Sequence, residues 1–151
     1  SCYGYGMTLS ALQIAQAYSV FANEGNFIEL NLFKDHSFDE PLHEKVLQKE
    51  TNDIVIDMLV ETVNSSNGTA SKARLQEKIV AGKTGTAKES LEEETTYSAT
   101  FAGFVPHDEP EFLAVVVLNG LSGEDYSGGR VSAPVFSRLM QQIFMLQDLK
   151  I

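Results

Sequence analysis

Apolar residues crowd the stretch from Leu9 to Phe21. Leu9, Leu12, Ile14, Ala15, Ala17, Tyr18, Val20 and Phe21 cover most of a helical circumference, and only Gln13, Gln16 and Ser19, with Asn23 beyond them, interrupt it. That distribution predicts a helix running to about Asn23 and buried on most sides. Thr8 or Ser10 is placed to cap it, and Gly25 to stop it. Residues 26–47 alternate only loosely and carry His36, Pro41 and His43; they read as a short extended segment and a loop. Thr51 opens a second predicted helix to about Asn64, with one apolar stripe of Ile54, Val55, Met58, Leu59 and Val63. NSSNG at 64–68 is turn chemistry.

From Ile79 the period changes. Ile79–Ala87, Ser98–Val105 and Glu111–Leu118 are rich in β-branched and aromatic residues and read as three strands. The polar stretch KESLEEETT at 88–96 joins the first two as a loop, with Glu89, Glu92, Glu93 and Glu94 as its solvated cluster, and PHDEP at 106–110 makes the second turn. Links this short favour antiparallel neighbours. A glycine-rich loop, SGEDYSGG, leads to a last helix with Pro134 in its first turn and Phe136, Leu139, Met140 and Ile143 down its core face. The order is helix, helix, three antiparallel strands, helix: an α+β arrangement with helices laid on a small sheet.

Length and composition narrow the picture. The 151 residues suit one domain with a moderate core, and 43% hydrophobic with 21% charged residues is ordinary globular composition. A net charge of −10 repels phosphate backbones and argues against nucleic acid as a partner. The single cysteine, Cys2, excludes an internal disulfide. The longest apolar run, Phe112 to Leu118, is too short to cross a bilayer. His36, His43 and His107 fall in predicted loops without metal-ligand spacing. The opening SCYGYGMT sits inside what reads as structured sequence, so the chain is expected to be a piece of something larger.

The stretch with candidate chemistry is AGKTGTA, residues 81–87. A phosphate loop, G-x-x-x-x-G-K-[ST], fails on two counts. Its first glycine would stand at Glu77, and the loop would have to open into a helix, whereas Gly85 and more strand follow. A strand end with a glycine turn and one exposed lysine is the plain reading of any lone K-T-G. The third reading is the K-T-G strand of serine acyl-transferases that attack D-Ala-D-Ala peptides and β-lactams. There Lys83 attracts the substrate's terminal carboxylate and tunes nearby proton transfers. Thr84 and Thr86 hydroxyls bond that carboxylate, Gly85 leaves room for an extended peptide along the strand, and the Thr86 amide joins an oxyanion hole.

Context favours the third reading. GYGMTLSALQIAQAYSVFANEG, NGTASKARL, IVAGKTGTAK, SATFAGFVP, FLAVVVLNG and YSGGRVSAPVFSRLM occur in that order. Together they resemble the C-terminal half of the transpeptidase domain of class B penicillin-binding proteins, above all the septal, cell-division type (penicillin-binding protein 3) of Gram-negative bacteria. The resemblance spans almost the whole chain. It implies the C-terminal part of the penicillin-binding transpeptidase and β-lactamase-like fold, with three of its five sheet strands present. Residues 1–151 would then be one portion of one domain, truncated at the N-terminus. The strand at Glu111–Leu118 would have an open apolar edge, and poor solubility of the isolated chain is expected.

The resemblance also implies a nucleophilic serine in S-x-x-K and a nearby S-x-N. No serine here is followed by lysine three residues later, and Ser65-Ser66-Asn67 matches S-x-N by letter only, in a turn close upstream of K-T-G. The nucleophile is thus expected outside this chain, which would be inactive alone. The implied catalytic residues here are Lys83 and Thr86, and the implied substrate-binding residues are Thr84, Gly85, Thr86 and Tyr126. Tyr126 and the glycines of YSGGR match a cleft-lining loop, with a flexible turn as the alternative. Tyr3, Gly4, Tyr5 and Gly6 match a positioning segment before the first helix. Implied partners are the D-Ala-D-Ala stem peptide, β-lactams, the missing N-terminal part of the same domain, and divisome proteins; no metal, nucleotide or other cofactor is called for. The implied location is the periplasmic face of the bacterial inner membrane, through an anchor not in this chain. A related carboxypeptidase or β-lactamase, or a non-catalytic module of the same fold, remain the rival classes.

Overall fold

The computed structural model describes residues 9–30, 43–91, 94–123 and 126–149. Helix α1, Ala11–Ala22, starts where Ser10 makes a reciprocal capping box: its hydroxyl accepts from the Gln13 amide at 3.2 Å, and the Gln13 side chain accepts from the Ser10 amide at 2.9 Å. Thr8, the other candidate cap, lies outside the described residues. The helix ends as predicted at Gly25, which adopts φ +84° and donates its N–H to Val20 O at 2.8 Å. The expectation of burial on most sides is not met. Only Val20 is buried, and Leu9 and Leu12 are 48% and 44% exposed. Among the described residues α1 packs on β5, β4, β1 and α2 from one side, and nothing described covers the other.

Residues 26–47 hold two strands rather than one segment and a loop. Strand β1, Asn26–Ile28, pairs antiparallel with β2, His43–Lys45, in the register Phe27↔Glu44. The β2 residues are all exposed, so no buried face imposes an alternation that the sequence would display. His36 and Pro41 lie outside the described residues. Helix α2, Lys49–Asn64, begins two residues before Thr51, with Gln48 at the cap position and no side-chain cap bond. A Lys49–Asp53 pair at 2.7 Å spans its first turn instead. Its apolar stripe is also rotated. Leu59 and Val63 are buried with Asn52, while Ile54 and Met58 are 55% and 62% exposed, since they fall on the opposite side at 100° per residue.

The main sheet has the order β3-β4-β5, with β3 at Ala81–Leu91, β4 at Glu94–Val105 and β5 at Phe112–Leu121, all antiparallel. The 88–96 stretch is therefore not a loop. Its ladder continues through Lys88↔Tyr97, Glu89↔Thr96 and Ser90↔Thr95 to Leu91↔Glu94, and residues 92–93 lie outside the described set. An outlying two-stranded ribbon needs no buried face, so its polar residues hid it; Thr95, Thr96 and Tyr97 were the β-prone signal. The outer edge of β5 carries half-buried Leu113 to Val116 and exposed Val117, and no described strand pairs with it.

Strand β4 is buried on both faces, and its side chains divide by parity. Phe101 and Val105 join Val63, Ala70, Ala73, Val80, Ala133, Phe136 and Met140 on one side; Phe104 meets Leu59, Ala81, Tyr18, Phe21 and Leu113 on the other. Helix α3, Gly128–Asp148, covers the first face. It starts at Gly128, so Pro134 stands inside the helix and not in its first turn. The glycine pair that reads as loop is the first helical residues, capped by Ser127 in extended conformation. Phe136 and Met140 face the core as expected, whereas Leu139 is 41% exposed.

Two outcomes follow. Phe136 is fully buried, with its ring 4.7 Å from that of Phe101. Phe136→Ala is expected to cost about 3–5 kcal/mol, read from denaturant midpoints at unchanged m-value. Burial raises the Tyr18 pKa above its ordinary 10.0. The folded state then keeps a proton that the unfolded state releases, so stability is intact below pH 10.0 and falls as pH rises past it. Tyr18→Phe is expected to flatten that alkaline loss, measured by urea unfolding between pH 9 and 11.

Candidate active site

K-T-G-T, residues 83–86, lies near the start of β3, an edge of the sheet. Lys83 and Gly85 oppose Ala102 and Thr100; Thr84 and Thr86 oppose Phe101 and Ala99. Because Phe101 packs under α3, the two threonines share the face that α3 covers. The last turns of α2 close the beginning of the edge. The Thr62 hydroxyl donates to Gly82 O, and the Asn64 amide donates to Val80 O at 2.8 Å. Past Gly82 the edge changes hands: the Lys83 ammonium, exposed, donates to Thr84 O at 2.9 Å. The Gly82 and Thr84 carbonyls thus accept from groups outside the sheet. By the two-residue period, the Thr86 backbone N–H and C=O point to the same edge.

The start of α3 fixes the threonines from the other side. The Gly128 N–H donates to Thr86 Oγ1 at 3.2 Å, which leaves the Thr86 hydroxyl proton available to donate outward. A Cβ on Gly128 would stand 2.5 Å from Thr100 O and 2.7 Å from Gly85 O, both rigid backbone, so only glycine lets the helix come this close. A Cβ on Gly85 would meet only the Thr100 Cβ, at 3.7 Å, an ordinary contact. The helix N-terminus adds partial positive charge beside Thr86. Thr84 Oγ1 lies 3.4 Å from both Lys83 Nζ and Thr69 Oγ1.

The structure therefore brings Lys83, Thr84, Gly85 and Thr86 together on one edge with which no further described strand pairs. Tyr126 stacks on Tyr97, with ring centroids 3.7 Å apart and planes 8° from parallel. Tyr97 is two residues along β4 from Ala99, the partner of Thr86. Tyr3, Gly4, Tyr5 and Gly6 lie outside the described residues. Ser65-Ser66-Asn67 forms the turn after α2, where Ser65 O accepts from Gly68 N–H and from the Arg74 guanidinium. Sequence reading missed Thr62, Asn64, Thr69 and Tyr97 as supports of the edge. Thr69 stands in the NGTA segment; Thr62 and Asn64 flank the buried Val63, and polar residues there were the available signal. A pocket of about 320 Å3 between Leu75 and Phe144 lies toward the far end of α3 and takes no part in this edge.

The glycine contact gives a paired expectation. Gly128→Ala should cost about 1–3 kcal/mol through overpacking against backbone. Gly85→Ala should cost less than about 1 kcal/mol, as its new methyl meets only an ordinary contact. Thermal unfolding of the two variants side by side tests the order; equal losses would contradict the close approach.

The profile of the penicillin binding protein transpeptidase domain matches residues 1–141. The peptidoglycan D,D-transpeptidase FtsI of Buchnera aphidicola subsp. Schizaphis graminum is 36% identical over 99% of this chain and 26% of its own length. The protein of the same name from Escherichia coli K12 is 32% identical over 98% of this chain and 25% of its own. Among solved structures, the apo transpeptidase domain of Burkholderia pseudomallei penicillin-binding protein 3 superposes with a TM-score of 0.79 at 31% identity, covering 99% of this chain and 45% of that one. The chain spans about a quarter of the length of those curated relatives. With the profile matched over 141 of 151 residues and a three-stranded antiparallel sheet carrying K-T-G on its edge, the chain belongs to the penicillin-binding protein transpeptidase domain family.

Proposed function

We propose that these residues are the K-T-G-bearing C-terminal portion of a septal peptidoglycan D,D-transpeptidase, with Lys83 and Thr86 as its catalytic groups in this chain. The observation that carries the reading is the open β3 edge, which begins at Lys83 and holds Thr86 between a free strand edge and the start of α3. An extended stem peptide ending in D-Ala-D-Ala adds to this edge as a further strand and bonds the backbone of Thr84 and Thr86. The Lys83 ammonium attracts the peptide's terminal carboxylate, and the Thr84 and Thr86 hydroxyls bond it. Gly85 leaves room for the peptide, while Tyr126 bounds the cleft. The Thr86 N–H stabilises the oxyanion that forms as the acyl carbon becomes tetrahedral.

The nucleophile is a serine outside this chain. It forms the acyl-serine as the terminal D-Ala departs, and an amine of a neighbouring strand then takes the acyl group. β-Lactams acylate the same serine. No helix among the described residues is long and apolar enough to cross a membrane; the proposed location is the periplasmic face of the inner membrane, through an anchor outside these residues. Divisome proteins complete the proposed partners.

The test uses the whole reading frame that contains these residues, treated with a fluorescent penicillin. A covalent label is expected on the complete product and none on the 151-residue chain, by intact mass. Lys83→Ala is expected to slow acylation about 100-fold without loss of folding. A stable adduct on the isolated chain, or a complete product that penicillin never labels, would overturn the proposal.

A further inference from the structure

Thr62, on the last turn of α2, stands where that helix, β3 and the segment after the helix meet. Its hydroxyl has two acceptors within reach, Leu59 O at 2.9 Å inside the helix and Gly82 O on β3. Its own carbonyl accepts the Ala70 N–H at 3.0 Å, and a Cβ on Gly68 would collide with that same oxygen. The segment held in this way carries Thr69, whose Oγ1 lies 3.4 Å from Thr84 Oγ1. One residue therefore supports both flanks of the Lys83–Thr84 pair. Its side chain holds the peptide before Lys83, and its backbone holds the segment that brings a hydroxyl to Thr84.

Gly82 is the residue that needs holding. A Cβ at position 82 would stand 2.5 Å from Phe101 Cζ and 2.8 Å from Ala102 O, so packing on β4 requires glycine there. Glycine has the widest backbone freedom of any residue, and here it immediately precedes the cation. The Gly82 carbonyl shares its peptide plane with the Lys83 N–H, so a donor on that oxygen fixes the plane from which Lys83 departs. Asn64 gives Val80 O, the preceding outward carbonyl, the same support at 2.8 Å. We propose that Thr62 is a positioning residue for anion recognition: its hydroxyl sets the direction in which Lys83 and Thr84 meet the substrate's terminal carboxylate. The inference rests on the transpeptidase reading, in which those two groups bind that carboxylate. It gives Thr62 no contact with the substrate and no part in the acyl transfer. Loss of the hydroxyl then weakens the grip on a carboxylate and leaves the reaction of a compound without one nearly untouched. A general loosening of the fold slows both alike.

The test uses the complete product of the reading frame and two acylating probes, benzylpenicillin and its methyl ester, which has no free carboxylate. Adduct formation is followed over time by intact mass. Thr62→Val keeps the shape and removes the donor. Leu59 O retains its partner in the helix ladder, so Gly82 O is the acceptor that loses one. Thr62→Val is expected to slow acylation by benzylpenicillin about tenfold and by the ester less than about twofold. If that variant does not fold, Thr62→Ala carries the same expectation. Thr62→Ser keeps the hydroxyl and is expected to restore the wild-type ratio of the two rates. Equal slowing of acid and ester overturns the proposal, as does an acid-to-ester ratio that Thr62→Ser leaves low. A wild-type product that forms no adduct overturns the transpeptidase reading and this one with it. A labelled wild type with equal slowing in the variant overturns this one alone.

Discussion

Helix α3 can lie on this sheet only because residue 128 has no side chain. A single methyl there would fall within 2.5 Å of the Thr100 carbonyl on β4 and 2.7 Å of the Gly85 carbonyl on β3. Real Cβ atoms do not approach backbone oxygen that closely. From this contact the rest of the helix follows: Ser132 donates to Ala99 O at 2.9 Å, and Ala133, Phe136 and Met140 drop one after another onto Phe101 and Val105. Moving the helix outward to admit a side chain would break the Gly128–Thr86 bond and lift Phe136 off the core. The same residue therefore sets core packing and the orientation of a hydroxyl on the open edge, and neither can be adjusted alone.

The electrostatics of the edge run against those of the whole chain. Acidic residues outnumber Lys and Arg 21 to 11, yet the open part of β3 presents the Lys83 ammonium, two hydroxyls and the N-terminus of α3. A local positive field on an acidic body favours small anionic groups that can be held close, and disfavours extended polyanions, which feel the full net charge. By contrast a pocket beside Asn52 concentrates carboxylates.

Those elements whose buried faces impose a period were legible from the sequence. Ser10, one of two candidate caps, marked the start of α1 and Gly25 its end, and β4 was read as a strand over Ser98–Val105. K-T-G was legible as part of a strand, and it lies in β3. What escaped was set by distant partners. The β1–β2 pairing joins residues across an intervening stretch, with an exposed β2 and no pattern to report it. Ile54 and Met58 look like core by composition and face outward by angle. The ribbon beyond Lys88 is held by backbone pairing that its polar residues do not advertise. Pro134 misplaced the start of α3, because a proline inside a helix forfeits one hydrogen bond yet is outweighed here by the packing of Gly128 and Phe136.

An edge strand is a hazard that proteins ordinarily cover, charge or shorten. Here the covering is partial, and where it stops is informative. Thr62 and Asn64 of α2 occupy the carbonyls of Gly82 and Val80, so the strand is closed up to the residue before the motif. Beyond it the Lys83 ammonium rests on Thr84 O, a weak and displaceable cover on an exposed side chain. Had the helix run one turn further along β3, the motif would have been buried as structure. Had it ended one turn earlier, the apolar Val80–Ala81 backbone would have been open to unselective pairing. The boundary between closed and open edge falls between Gly82 and Lys83, and it places a charged residue first on the open side. Any strand added to this edge would meet that cation first.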